Sequence, residues 1–441
     1  MLLDHQRNRN IVDGVRAIGI LLVILFHVMF GTTKLLQEYG EEHGGDYAGL
    51  DRYIADFPTV LNIAWQALGS EMVFFVSGFL LSYLLFRELT KTGRVDLRNY
   101  LVKRVSRILP MYGIALVLFA LEFRWKWWEL LLNLGFVSKI FDAKTIIPVG
   151  WSLEVMIQVY LILPFLCAWL FKRKHAILIS FVLVGISLVP RFLALAMHPE
   201  DYAMPFYELA YGGDASPTQK DIYYLLIHRA TPFLFGMAIA YLTVMRSAGL
   251  SSFFASPLRS SISIVVGLAL MVASGFLPIH DPNSFLYSEL PVSFWLYFWT
   301  FQRAVFTVGI ALVFLPAFYG AGGLAGVIAD TLSLEVWRPI SHNIYSIYLF
   351  HFLCMIPAAA LVLLPFHPDR LLLLVTAPDD LDEAIPSISN LEALAIFILT
   401  AMLSVKLAKF LTRKVEDPAQ RKIRAKYGRP PSTPHVAAAN D

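Results

Sequence analysis

Residues 11–30 read IVDGVRAIGILLVILFHVMF, an apolar run of helix length that carries Arg16 and His27. The two lie eleven positions apart, which at 100° per residue returns to within about 20° of the same helix face. At 1.5 Å per residue their side chains stand roughly 16 Å apart along the axis. Ionisable groups inside a bilayer are costly and usually face an interior cavity or pathway, so the pair marks a candidate functional face. The competing reading has Arg16 snorkelling to the near headgroups and His27 lying at the far interface.

The composition around this stretch fixes the class. The 441 residues are 57% hydrophobic and 16% charged, with a mean hydropathy of +0.61, which describes a polytopic membrane protein rather than a soluble domain. A net charge of +3 gives no footprint for nucleic acid. Cys167 and Cys354 both fall in apolar runs, so neither a disulfide framework nor a thiolate metal site is expected. No cleavable signal is expected at the amino terminus.

Ten apolar segments are long enough to span, at about 11–30, 60–86, 108–123, 149–171, 176–197, 222–245, 260–279, 292–318, 341–364 and 391–412. The predicted fold is therefore all-α, with about ten transmembrane helices and 127–140 as a re-entrant or interfacial helix. Lys and Arg concentrate before the first span, between the second and third, after the fourth and after the tenth. The loops 38–56 and 369–383 carry one arginine each, Arg52 and Arg370. The positive-inside rule then puts both termini in the cytoplasm, Arg16 at cytoplasmic depth and His27 at outer depth. Residues 1–428 are expected to form one membrane domain, and 429–441 (RPPSTPHVAAAND) a disordered cytoplasmic tail.

The remaining chemistry is scattered. Glu71, in GSEMVFFVSGFLLS, must find an arginine or lie at the outer surface. Lys103, Arg104 and Arg107, in YLVKRVSRILPMY, are spaced to close on a phosphorylated ligand, or else form a positive-inside surface patch. Glu154 and Gln158, in VGWSLEVMIQVYLILP, share a face and could meet His27, where a carboxylate would orient the imidazole. His351, in IYSIYLFHF, falls near the middle of the ninth span, where an unpaired imidazole is unfavourable; Arg303 needs a carboxylate, a phosphate or a wet cavity. Glu416, in VEDPAQ, reads as structural.

Six stretches in this order resemble the integral-membrane acyltransferases of acyltransferase family 3: DGVRAIGILLVILFH, FFVSGFLLS, KRVSRILPMY, WSLEVMIQVYLILP, YSIYLFHF and VEDP. The resemblance implies transfer of an acyl group, commonly acetyl, from cytoplasmic acyl-coenzyme A to a hydroxyl of an extracytoplasmic glycan or related acceptor. It implies Arg16 and His27 as residues needed for activity and Arg104 and Arg107, with Lys103 beside them, as the coenzyme A contacts. His27, Arg16, Glu154 and His351 are the catalytic candidates; Arg104, Arg107, Lys103 and Arg16 are the donor-binding ones, and no metal is expected. Two departures stand out. Glu71 occupies a position where many members have Asp, and the pattern W-S-L-x-V-E would place an acid at 156, where this chain has Met156 and carries Glu154 instead. The expected partners are acyl-coenzyme A, a glycan or small hydroxylated acceptor and the lipid bilayer, and the expected location is the inner (plasma) membrane. The rival reading is a transporter or flippase of a lipid-linked glycan, whose path the same buried charges would line; no inverted repeat supports it.

Overall fold

The computed structural model describes residues 2–42, 48–122, 125–198, 203–205, 222–320, 322–363, 365 and 388–428. The basis for expecting a tail at 429–441 and a loop at 369–383 lies outside these residues. Every regular element among them is helical. Nine helices are long and apolar enough to cross a membrane, and a bent pair supplies a tenth. They are α1 (Gln6–Gln37), α2 (Gly69–Thr92), α3 (Leu97–Leu121), α4 (Gly150–Phe171), α5 (Ala176–Met197), α6 (Thr231–Met245), α7 (Pro257–Gly275), α8 (Val292–Tyr319), α9 (Ile344–Leu363) and α10 (Asn390–Leu411). A shorter basic helix, α11 (Asp417–Tyr427), follows.

The boundaries differ from the sequence reading where apolar composition misleads. Helix α3 starts eleven residues earlier than expected, because Lys103, Arg104 and Arg107 are good helix formers and the charged segment runs unbroken into the apolar one. The second span starts later: Ala67 adopts a positive φ of 51° and separates a short helix, Asn62–Trp65, from α2. The sixth begins at Thr231 with Pro232 in its first turn, and after Met245 the chain bends by 93° into Ser247–Phe254. The segment 127–140 contains an α-helix, Trp127–Leu134, with Trp127, Leu131 and Leu134 exposed, and runs into a 3-10 turn, Ser138–Phe141.

Helix α1 occupies the centre, packed against α2, α8, α9 and α10. Small residues allow the closest contacts, as expected where lipid removes the hydrophobic drive between helices. A Cβ on Gly69 would come 2.6 Å from the Gly19 carbonyl oxygen, and one on Gly236 would come 2.4 Å from the Phe75 carbonyl oxygen, so α1–α2 and α2–α6 touch backbone to backbone. Both described ends of the chain meet the α2–α3 connection: Arg87 pairs with Asp4 at 2.9 Å, and Arg98 donates to the Tyr427 carbonyl at 3.2 Å. The termini therefore share one end of the bundle with the basic connections.

At depth, Glu71 of α2 gathers two cations from distant sequence. Its Oε1 lies 2.8 Å from Arg229 Nη1 and 2.7 Å from Arg303 Nη1, and all three side chains are buried. Arg229 also donates to Ser70 at 3.0 Å and sits beneath the rings of Phe74, Trp151 and Tyr223. One carboxylate thus ties α2 to α8 and to the segment before α6.

Two stability predictions follow from these contacts. Gly236→Ala forces α2 and α6 apart and costs about 1–3 kcal/mol. Glu71→Ala leaves two guanidiniums buried without a counter-charge and costs roughly 3–5 kcal/mol, more than the shortened carboxylate of Glu71→Asp. Thermal unfolding of the detergent-purified variants checks both, and a wild-type melting curve for Glu71→Ala would show that the cluster does not brace the bundle.

Candidate functional site

Arg16 and His27 do share a face, and what they look into is a cavity of about 560 Å³, within the size range of small-molecule sites. Arg9, Arg16 and Arg87, with Arg104 and Arg107 of α3, line it together with His27, Tyr348, Trp151 and Tyr223. The two readings of the α1 charges, cavity face or interfacial anchors, are thereby separated, since both side chains line the same enclosed space.

Arg16 has a distant counter-charge in Asp13, at 3.9 Å, and the same Asp13 oxygen accepts from Ser341 at 2.6 Å. Arg104 and Arg107 differ: no carboxylate lies within ion-pair distance of either among the described residues. Arg104 stacks near the rings of Tyr100 and Tyr160, and its Nε is buried without a hydrogen-bond partner. Positive charge held in a cavity wall without a neutralising side chain is a site for an anion. Lys103 is exposed and does not line the cavity. Of the three basic candidates on α3, the helix turns two inward.

His27 meets His351. The His27 Nδ1 to His351 Nε2 distance is 3.0 Å, and His351 Nδ1 lies 2.7 Å from the Tyr348 carbonyl oxygen. A carbonyl only accepts, so His351 Nδ1 carries its proton and, in the neutral ring, Nε2 accepts from His27 Nδ1–H. This assigns the His27 tautomer and leaves its Nε2 unprotonated on a ring that lines the cavity. Such second-partner control of an imidazole is the usual way to fix which nitrogen reacts. Phe26 and Phe352 pack against the His27 ring. The Tyr348 and Ser152 hydroxyls bond to each other at the same cavity surface.

Glu154 is not brought to His27. Its carboxylate accepts from the Ser138 hydroxyl and from the Lys139 backbone N–H, the latter at 3.0 Å, and it does not line the cavity. The reason is helical phase. Ser152, Met156 and Tyr160 line the cavity at four-residue spacing, and Glu154 lies about 200° from Ser152 and Met156. The position facing the site is therefore 156, and it holds methionine. Glu416, read as structural, is buried and accepts from Ser346, Thr412 and Gln420.

Sequence reasoning singled out His351 and Arg303 but missed the residues that join them to the rest. Asp13, Trp151 and Tyr348 stand in the stretches that carry the resemblance without having been singled out, and Tyr348 lies one helical turn before His351; Tyr223 stands in none of those stretches. Among the described residues no group of three or more His, Cys, Asp or Glu side chains is placed to hold a metal ion.

The comparisons with known proteins bear on the family. The protein named O-acetyltransferase OatA, from several strains of Staphylococcus aureus including NCTC 8325, COL and MRSA252, is 24% identical over 325 residues, covering 66% of this chain and 47% of that one. A second S. aureus protein with a provisional O-acetyltransferase name is 22% identical over 205 residues, 40% of this chain and 28% of that one. The chain thus spans about half the length of the first of these relatives and less of the second. No solved structure matches it significantly. The sequence pattern of the acyltransferase domain, however, matches residues 9–408, from the start of α1 to the last turns of α10, and the chain belongs to that family of multi-pass membrane acyltransferases.

Proposed function

We propose that the protein is a membrane O-acyltransferase that moves an acyl group, acetyl being the first to test, from cytoplasmic acyl-coenzyme A to a hydroxyl of an extracytoplasmic glycan or related acceptor. On this reading it lies in the inner (plasma) membrane with both termini in the cytoplasm, the side to which the positive-inside rule assigns the basic connections. The observation that carries the proposal is a single cavity lined both by guanidiniums without a carboxylate partner and by His27, whose Nδ1 lies at hydrogen-bond distance from His351.

The donor's phosphates would rest on Arg104 and Arg107. The roughly 16 Å between Arg16 and His27 given by helix rise is comparable to an extended pantetheine arm, so the thioester would reach His27. His27 Nε2 then takes the proton of the acceptor hydroxyl as its oxygen attacks the thioester carbonyl. The C–S bond breaks, and the proton passes from His27 to the departing thiolate, leaving an ester and free coenzyme A. His351 acts through His27, keeping the reactive nitrogen deprotonated and aimed.

Purified protein given acetyl-coenzyme A and candidate acceptors should release thiol in step with acylated acceptor, which a transporter or flippase would not do. His27→Ala should lower that turnover by roughly 10²–10⁴-fold. His351→Ala should lower it less, because the imidazole remains while its tautomer and orientation are lost. Undiminished acyl transfer by His27→Ala sinks the assignment.

A further inference from the structure

The last described helix packs on α3, the helix that carries Arg104 and Arg107. After α10 the chain makes one π-helical turn, Thr412–Glu416, and continues into α11. Pro418 has no N–H to donate to the Lys414 carbonyl, so the ladder must be interrupted there, and a π turn is one way to take up the interruption. Buried Glu416 pins that turn to α9 by accepting from Ser346 at 3.1 Å. Helix α11 then packs along α3.

This places Arg424 against the segment that carries the donor-site cations. Arg424 Nε donates to Ser106 Oγ at 3.2 Å, and Ser106 lies between Arg104 and Arg107 in sequence on α3. Its Nη2 donates to Gln420 at 2.7 Å, and Gln420 in turn donates to Glu416 at 2.9 Å. The guanidinium is thus held at two edges, and Nη1 has no partner among the described residues. It lies within electrostatic reach of Arg104 and Arg107, with Asp417 as a nearby carboxylate. Arg107 and Arg104 are in turn within reach of Arg16. Like charges are not brought together in this way without cost, and an anion among them offsets it.

We propose that Arg424 of the carboxy-terminal helix, which lies outside the cavity lining, is a third arginine of the donor site, meeting with Arg104 and Arg107 the phosphate groups of a nucleotide-bearing thioester. This rests on the donor reading above. The chemistry recognised is a phosphate cluster, which could also be supplied by anionic lipid headgroups, so the test must separate the two.

Equilibrium binding by titration calorimetry, on the full chain in neutral-lipid nanodiscs, needs no acceptor. Coenzyme A is the phosphate-bearing probe and pantetheine the phosphate-free one. Arg424→Ala should weaken coenzyme A binding about tenfold, the effect of one charge-assisted contact, and leave pantetheine unchanged. Arg424→Lys should recover part of the loss. Equal weakening of both probes would mean that Arg424 only braces α11 on α3, and unchanged coenzyme A binding would remove it from the site; either overturns the inference. So would an effect of Arg424→Ala confined to nanodiscs containing phosphatidylglycerol, since the residue would then serve lipid. Failure of the wild type to bind coenzyme A at all would overturn the donor reading and this one with it, whereas wild-type binding that ignores Arg424 would overturn this one alone.

Discussion

Helix α1 carries Asp13, Arg16 and His27 in a largely apolar span, and a membrane interior tolerates such groups only where partners or enclosed water meet them. Much of the bundle follows from that constraint. The segment before α9 supplies Ser341 to Asp13, and α9 supplies His351 to His27. Helix α3 turns Arg104 and Arg107 toward the face that Arg16 occupies, and α2 and α4 close the remaining sides of the cavity with Phe74, Trp151 and Met156. The close backbone contact at Gly19 and Gly69 lets α2 lie near enough to do so.

Two kinds of arginine stand among these helices, and they differ in whether a carboxylate meets them. Arg229 and Arg303 share the one carboxylate of Glu71, lie against aromatic faces and do not line the cavity. Their electrostatic demand is largely met inside the protein, and their role is to hold three segments together. Arg104 and Arg107 stand in a cavity wall with no carboxylate partner among the described residues, so part of their demand is left for a ligand. Composition cannot make this distinction, because all four are arginines near or within apolar helices.

What was legible in the sequence was whatever one helix expresses alone. Apolar length gave the spans, the eleven-residue interval gave the shared face of Arg16 and His27, and the three-residue interval gave the inward pair on α3. The phase argument on α4 was also readable, since Glu154 cannot occupy the face of position 156, and the Ser138–Lys139 contacts show what it does instead. Illegible were the contacts closing across long separations. Glu71 meets a residue 232 positions away in Arg303, and His27 one 324 away in His351. No local propensity encodes such pairings; they follow from the packing order of the helices. Helix boundaries failed where a special backbone angle at Ala67 or a continuous charged helix at α3 overrode hydropathy.

The His27–His351 pair also bears on how a histidine can act in the proposed reaction. In the familiar arrangement of an imidazole backed by a carboxylate, the negative partner stabilises the imidazolium that forms on proton uptake. Here the partner is a second imidazole, neutral while its Nε2 accepts, and its own Nδ1–H is committed to the Tyr348 carbonyl. It can orient His27 and fix its tautomer, but it offers no charge to an imidazolium. Arg107 and Arg16 add positive potential in the same cavity. Among the described residues no carboxylate contacts His27 to hold a proton there, and the proton's destination in the proposed step is the thiolate released with it. That favours a base that receives and returns a proton within one transfer over a group that stores charge between two half-reactions.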